Sequence, residues 1–205
     1  MLSDEAPRKI ILEFEHELDG EETIALCGSY KSLRQVINRA KNKTKPDYPK
    51  EPEDLKSLNY PEFLIQINNT ETFLFYDAGP EDPERFIIFT TKRNLKLIKN
   101  NQIFCDGTFD IAPKPFFQVY TLQRLIDSQC LPLVYSLLPY KSQKLYERSL
   151  SKVNEELENP PLSITSDFEK AFTNAVKIVF KNVPLYGCFI HFKQNLFRKE
   201  YRRIS

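Results

Sequence analysis

Apolar and polar positions follow a regular plan from Asn101 onward. Ile103 to Phe109 reads as a strand and Phe116 to Leu125 as a second. Leu131 to Leu138 is a third, joined to the second through the polar turn Asp127-Ser128-Gln129. Ser142 then caps a helix whose apolar face is Tyr146, Leu150, Val153 and Leu157, and Pro160-Pro161 ends it. Leu162 to Thr165 is a short strand. Phe168 to Phe180 is a helix through Ala171, Phe172, Ala175, Val176 and Val179. Leu185 to Cys188 is the last strand, before a helix bearing Phe192, Leu196 and Tyr201. The order β-β-β-α-β-α-β-α predicts an α/β fold: three antiparallel strands, then alternating helices and parallel strands in one mixed sheet.

The first hundred residues are less regular and predict a small α+β region. Ile10, Leu12 and Phe14 alternate with charged residues, which suits a strand. Leu33, Val36, Ile37 and Ala40 recur at helical spacing and predict a helix from Tyr30 to Lys43. Lysines and prolines dominate Lys41 to Pro61, an exposed connection. Phe63 to Ile67 and Phe73 to Tyr76 flank Asn68-Asn69, the pattern of a hairpin. Phe86 to Phe89 is a further strand, and Thr91 to Lys99 a short helix. Three regions follow: 1–60 helical and linker, 61–100 leading into the core, and 101–205 the core domain itself.

Composition narrows the function classes. With 205 residues, 41% hydrophobic, and 26 Phe and Tyr together (16 and 10), the chain has material for a sizeable core. A net charge of +1 excludes a uniformly basic nucleic-acid coat, so any DNA contact must rest on local patches. Cys27, Cys105, Cys130 and Cys188 form no CxxC pair and suggest a reducing interior rather than a disulfide scaffold. The start, Met1-Leu2-Ser3-Asp4-Glu5, lacks the plan of a signal peptide, and no apolar run is long enough to span a bilayer.

Candidate chemistry lies at two strand ends. In the first strand Ile103 and Cys105 point one way, Phe104 and Asp106 the other. Gly107 follows directly and lets another group approach the backbone closely. Asp167 stands past the strand Leu162 to Thr165, at the mouth of the next helix. Two carboxylates on different strands can hold divalent cations about 3.5–4 Å apart, the spacing for in-line displacement at phosphorus. Structural readings compete with this one. Ser166-Asp167-Phe168-Glu169 fits a capping box, and Asp106-Gly107 an ordinary strand-end turn. Cys188 and His191 form a CxxH pair with no partner pair of finger-like spacing, so no structural zinc is expected. His191 instead faces the active-site edge, able to contact a phosphate or orient a carboxylate. Lys193, Arg198, Lys199, Arg202 and Arg203, interleaved with Phe197 and Tyr201, suit phosphate contacts or a solvated helix face.

Several blocks carry a family resemblance. They are Cys105-Asp106-Gly107-Thr108-Phe109 with Ala112-Pro113-Lys114-Pro115-Phe116-Phe117-Gln118, then Leu131-Pro132-Leu133-Val134-Tyr135. Leu137-Leu138-Pro139-Tyr140-Lys141, Tyr146, Asp167-Phe168-Glu169-Lys170-Ala171 and Gly187-Cys188-Phe189-Ile190-His191-Phe192 follow in order. Together they resemble the transposase domain of Mutator-like elements (MULE), a DDE-superfamily domain. The resemblance implies a ribonuclease H-like mixed sheet, incomplete at its C-terminal end in this chain. It implies metal-dependent cleavage and joining of DNA ends in the nucleus. Asp106 and Asp167 would be the first two ligands of Mg²⁺ or Mn²⁺, with His191 in the CxxH signature. The family's catalytic glutamate would fall beyond Ser205, so the expectation is a truncated copy that is inactive alone. DNA and a second copy of the chain are the expected partners, with no small-molecule cofactor and no membrane. The alternative is a domesticated module that binds DNA or protein without catalysis.

Overall fold

A computed structural model of the protein describes residues 6–17, 29–44, 49–67 and 71–204, with the backbone alone at 44 and 198–204. The chain divides into two compact units, Met1–Tyr48 and Pro49–Ser205.

In the first unit, helices α1 (Pro7–Glu17) and α2 (Tyr30–Thr44) pack together. The helix read from Tyr30 is present. The strand read from Ile10, Leu12 and Phe14 is instead the middle of α1. Pro7 opens that helix, where its missing N–H costs no hydrogen bond. Lys9 and Glu13 pair one turn apart at 3.6 Å. Ile11 is buried while Leu12 and Phe14 stay exposed. Over five residues, apolar positions at period two overlap those at period 3.6, and the alternation misled.

The second unit begins irregularly. Glu62–Ile65 forms one helical turn (α3) where a strand was expected. Strands β1 (Gln66–Ile67) and β2 (Glu71–Thr72) then pair antiparallel. Asn68-Asn69 lies outside the described residues. The main sheet has seven strands: β3 (Leu74–Asp77), β4 (Ile87–Phe89), β5 (Gln102–Thr108), β6 (Gln118–Ile126), β7 (Gln129–Leu138), β8 (Ser163–Ser166) and β9 (Leu185–Gly187). Their spatial order is β3-β4-β7-β6-β5-β8-β9. Strands β5, β6 and β7 are antiparallel neighbours, while β8 runs parallel to β5, and β9 parallel to β8. The β6–β7 hairpin closes with Ile126 opposite Gln129, leaving Asp127 and Ser128 as a two-residue turn. Both have positive φ, 48° and 65°, the requirement of a turn that follows the strands' own twist.

Between the strands run α4 (Lys92–Lys96), α5 (Gln143–Glu155) and α6 (Lys170–Val179), and α7 (Phe189–Ile204) follows β9. Thr91 and Ser142 cap α4 and α5, accepting hydrogen bonds from the backbone N–H groups of Asn94 and Leu145. Helix α5 ends at Glu155, ahead of Pro160-Pro161. Helices α5 and α6 pack against each other. Their buried faces, Leu145, Tyr146, Leu150 and Val153 on one and Phe172, Ala175 and Val176 on the other, join Ile103, Cys105, Tyr120, Leu122 and Ile164 in one core. Ring pairs knit it at one end: Tyr120 and Phe172 lie 4.4 Å apart, and Tyr146 meets both. No described helix is long and apolar enough to cross a membrane.

Candidate metal centre at the carboxyl ends of two parallel strands

Strands β5 and β8 set the geometry of the candidate site. Their ladder runs in register from Gln102↔Ser163 to Phe104↔Thr165. Asp106, within β5, and Asp167, just past the end of β8, each stand two residues beyond the last of these pairs, where the paired strands themselves run about 4.8 Å apart. Ile103 and Cys105 are buried, whereas Phe104 and Asp106 are half-buried, so the two faces divide as the alternation predicts. The Cys105 thiol is pushed far above its ordinary range, first by burial and then by the charges of Asp106 and Asp167. Both carboxylates therefore act on one buried sulfur.

Each aspartate is half committed. Asp106 Oδ1 accepts the backbone N–H of Gly107 at 3.0 Å, and Asp167 Oδ1 accepts that of Glu169 at 3.2 Å. The Oδ2 atoms have no partner among the described residues. A backbone N–H on one oxygen fixes the carboxylate's direction and leaves the other oxygen for a ligand. Mg²⁺ commonly takes one or two carboxylates and keeps several of its waters, so this donor set fits a hard cation. No group of three or more His, Cys, Asp and Glu side chains is arranged to hold a metal among the described residues. The candidate site offers two carboxylates.

The capping-box reading of Ser166 to Glu169 fails. Ser166 is the last residue of β8, and its hydroxyl donates to the Asp167 carbonyl at 3.0 Å. Glu169 is itself the N-cap of α6 and makes no side-chain cap. Its carboxylate is engaged elsewhere, accepting the Tyr146 hydroxyl at 2.9 Å and pairing with Lys141 at 3.2 Å. Tyr146 in turn accepts from Gln118 Nε2 at 2.7 Å. In the sequence Tyr146 reads as part of an apolar face and Glu169 as part of a cap, with only their presence among the family-like blocks to point further.

Gly107 is needed for close approach, though by protein rather than ligand. A Cβ there would meet Gln118 Oε1 and Tyr120 Cδ2, both at 3.1 Å. Gln118 Oε1 and the Tyr120 hydroxyl are buried without a partner. Burial, with the charges at Cys105 and Asp167 behind it, pushes the Tyr120 hydroxyl well above its ordinary range.

His191 lies in the first turn of α7, which begins beside β8 because the Cys188 N–H bonds to the Ser166 carbonyl at 2.7 Å. Its Nδ1 is buried and unpartnered, and no hydrogen bond joins it to either aspartate. Lys193 stands on the same helix, over the Phe189 ring at 5.8 Å. Arg198, Lys199, Arg202 and Arg203 continue α7, but their side chains lie outside the described residues.

Residues 103–195 match the family model of the MULE transposase domain, which bears out the resemblance read from the sequence. No curated protein matches the chain.

Proposed function

We propose, from the MULE transposase domain at residues 103–195, that this chain carries a ribonuclease H-like fold built for metal-dependent phosphoryl transfer on DNA. The observation that carries the reading is the equal offset of Asp106 and Asp167 beyond the Phe104↔Thr165 pair. The strand order β7-β6-β5-β8-β9, with β5 and β8 parallel, also supports the ribonuclease H-like assignment.

Asp106 and Asp167 would hold Mg²⁺ or Mn²⁺ through their free oxygens. The bound metal would supply charge neutralisation at a phosphate and an activated oxygen nucleophile. The protein's part is to fix both carboxylates by backbone N–H groups, so that little reorganisation is needed. His191 is suited to a phosphate oxygen or an incoming carboxylate. Lys193, Arg198, Lys199, Arg202 and Arg203 would follow the DNA backbone, with the chain binding DNA in the nucleus as a monomer or a homo-oligomer. With two acidic ligands proposed among the described residues, we expect no DNA cleavage by this chain alone.

Mn²⁺ titration monitored by electron paramagnetic resonance tests the reading. Wild type should bind, and Asp106→Asn or Asp167→Asn should not. Equal binding by all three proteins would remove the site assignment. Mg²⁺- or Mn²⁺-dependent nicking of DNA, abolished by Asp106→Ala, would overturn the expected inactivity.

A non-catalytic DNA- or protein-binding module is the second reading, favoured by the exposure of Phe189, Ile190 and Phe197 around Lys193 on α7. Its DNA version requires metal-independent binding that falls when Lys193, Arg198, Arg202 and Arg203 are replaced by alanine.

A further inference from the structure

We propose that Glu169, Tyr146 and Gln118 form a positioning unit that locks Asp106 and Asp167 to each other, so that the two carboxylates are presented as one preformed site. The inference rests on the two-aspartate reading above and adds residues to it.

Glu169 acts at both its ends. Its backbone N–H holds Asp167 Oδ1, and its carboxylate accepts the Tyr146 hydroxyl. Moving the Glu169 side chain would therefore move the donor that aims Asp167. The Tyr146 hydroxyl passes the constraint to Gln118 Nε2 on β6. Gln118 is fully buried, and its Oε1 lies 3.1 Å from where a Cβ on Gly107 would sit. The Gly107 N–H is the donor that aims Asp106. A continuous path thus runs from one aspartate's backbone donor to the other's, through three side chains from β6, α5 and the α6 cap.

The three have little freedom. Tyr146 is buried against Phe172 and Tyr120, at 5.4 and 5.2 Å between ring centres. Lys141 pairs with the second Glu169 oxygen and lies 4.3 Å above the Phe109 ring. Gln118 Nε2 to Tyr146 and Tyr146 to Glu169 are hydrogen bonds in a largely buried setting, where such bonds restrain the groups they join, while Gln118 Oε1 bears on Gly107 by packing alone. Partners one step removed from a metal commonly control its affinity by orienting the ligands.

Glu169 is the decisive residue, because a ligand and a positioning residue respond differently to substitution. Glutamine keeps an oxygen for Tyr146 and the same backbone donor, whereas alanine removes the path. We expect Glu169→Ala to weaken Mn²⁺ binding by about tenfold, and Tyr146→Phe by a similar factor. Glu169→Gln should restore most of the affinity. Amide hydrogen exchange on the same proteins, without metal, supplies a separate readout. Exchange should quicken at Gly107 and Glu169 in the Ala and Phe variants, while β3 and β4 keep their wild-type rates. Gln and Ala variants equally poor at binding Mn²⁺ would mean that Glu169 works by its charge, and would overturn positioning. Unchanged exchange at Gly107 would also overturn it, whatever the metal does. Absent Mn²⁺ binding by wild type, with exchange still responding, would sink the metal reading and leave the positioning unit standing.

Discussion

Two polar clusters sit in the same sheet and are finished to different degrees. The first surrounds Arg85, whose side chain is 5% exposed. Arg85 Nε and Nη2 grip the two oxygens of Asp77 at 2.8 and 2.6 Å. Nη1 reaches the carbonyls of Leu55 and Leu58, and Nη2 also reaches the Tyr60 hydroxyl. All five guanidinium donors are thereby used. Tyr60 donates to Asp77, and the Gly79 N–H completes the carboxylate. This cluster ties the irregular stretch around Leu55 to Tyr60 onto β3. The second cluster, at the ends of β5 and β8, leaves one oxygen free on each aspartate and strands Gln118 Oε1, the Tyr120 hydroxyl and His191 Nδ1. Buried polar atoms are ordinarily paired, so a concentration of unpaired ones marks a place selected for something other than stability. The saturated cluster holds the fold. The unsaturated one is where the proposed metal would be held.

Substitutions can break this contrast. Arg85→Ala should have the largest effect, about 3 kcal/mol in chemical denaturation, because it leaves Asp77 uncompensated and frees the Leu55 to Tyr60 stretch. A loss under 1 kcal/mol, about a surface substitution's effect, would refute the structural role. A pH series sharpens the same point. Burial opposes the Asp77 charge, but hydrogen bonds from Arg85 and Tyr60 outweigh it and hold the carboxyl below its ordinary value of 3.8. Such a group stabilises the fold above that value, and the contribution disappears as pH falls through the lowered one. The stability gap between wild type and Asp77→Asn should therefore narrow below pH 3.8.

At the other cluster the effects should be smaller and reversed in kind. Gly107→Ala should cost about 1–2 kcal/mol in the same denaturation assay, since its methyl must displace buried Gln118 and Tyr120. Asp106→Asn and Asp167→Asn should stay within about 0.5 kcal/mol of wild type, or gain, because they remove charge from an edge with no cation partner among the described residues. A large loss from either would make them structural residues and erase the contrast.

What the sequence made legible follows from the range of the forces involved. Periodicity and turn residues are local, so β5 to β9, the Ser142 cap and the Asp127-Ser128 turn could be read along the chain. Helix α1 could not, because Ile10, Leu12 and Phe14 satisfy two periods at once. Asp106 and Asp167 became candidates through the family-like blocks around them. Their equal offset beyond the β5–β8 ladder is a matter of pairing between residues about sixty positions apart, which periodicity does not encode. The Glu169–Tyr146–Gln118 path joins three separate elements by side-chain ends. A tyrosine at an apolar position looks the same whether or not its hydroxyl has work.

Cys105 offers a way to watch this edge from within. A thiol reacts as its thiolate, and burial together with two adjacent carboxylates suppresses that form. Alkylation of this sulfur must wait for β5 to part from its neighbours, so its labelling rate is a clock for opening of the central strand. A cation held by Asp106 and Asp167 would slow that clock in proportion to its occupancy, because binding favours the closed form. The chain thus carries, one residue from its first candidate ligand, a native probe that reports binding as a change in time rather than in signal.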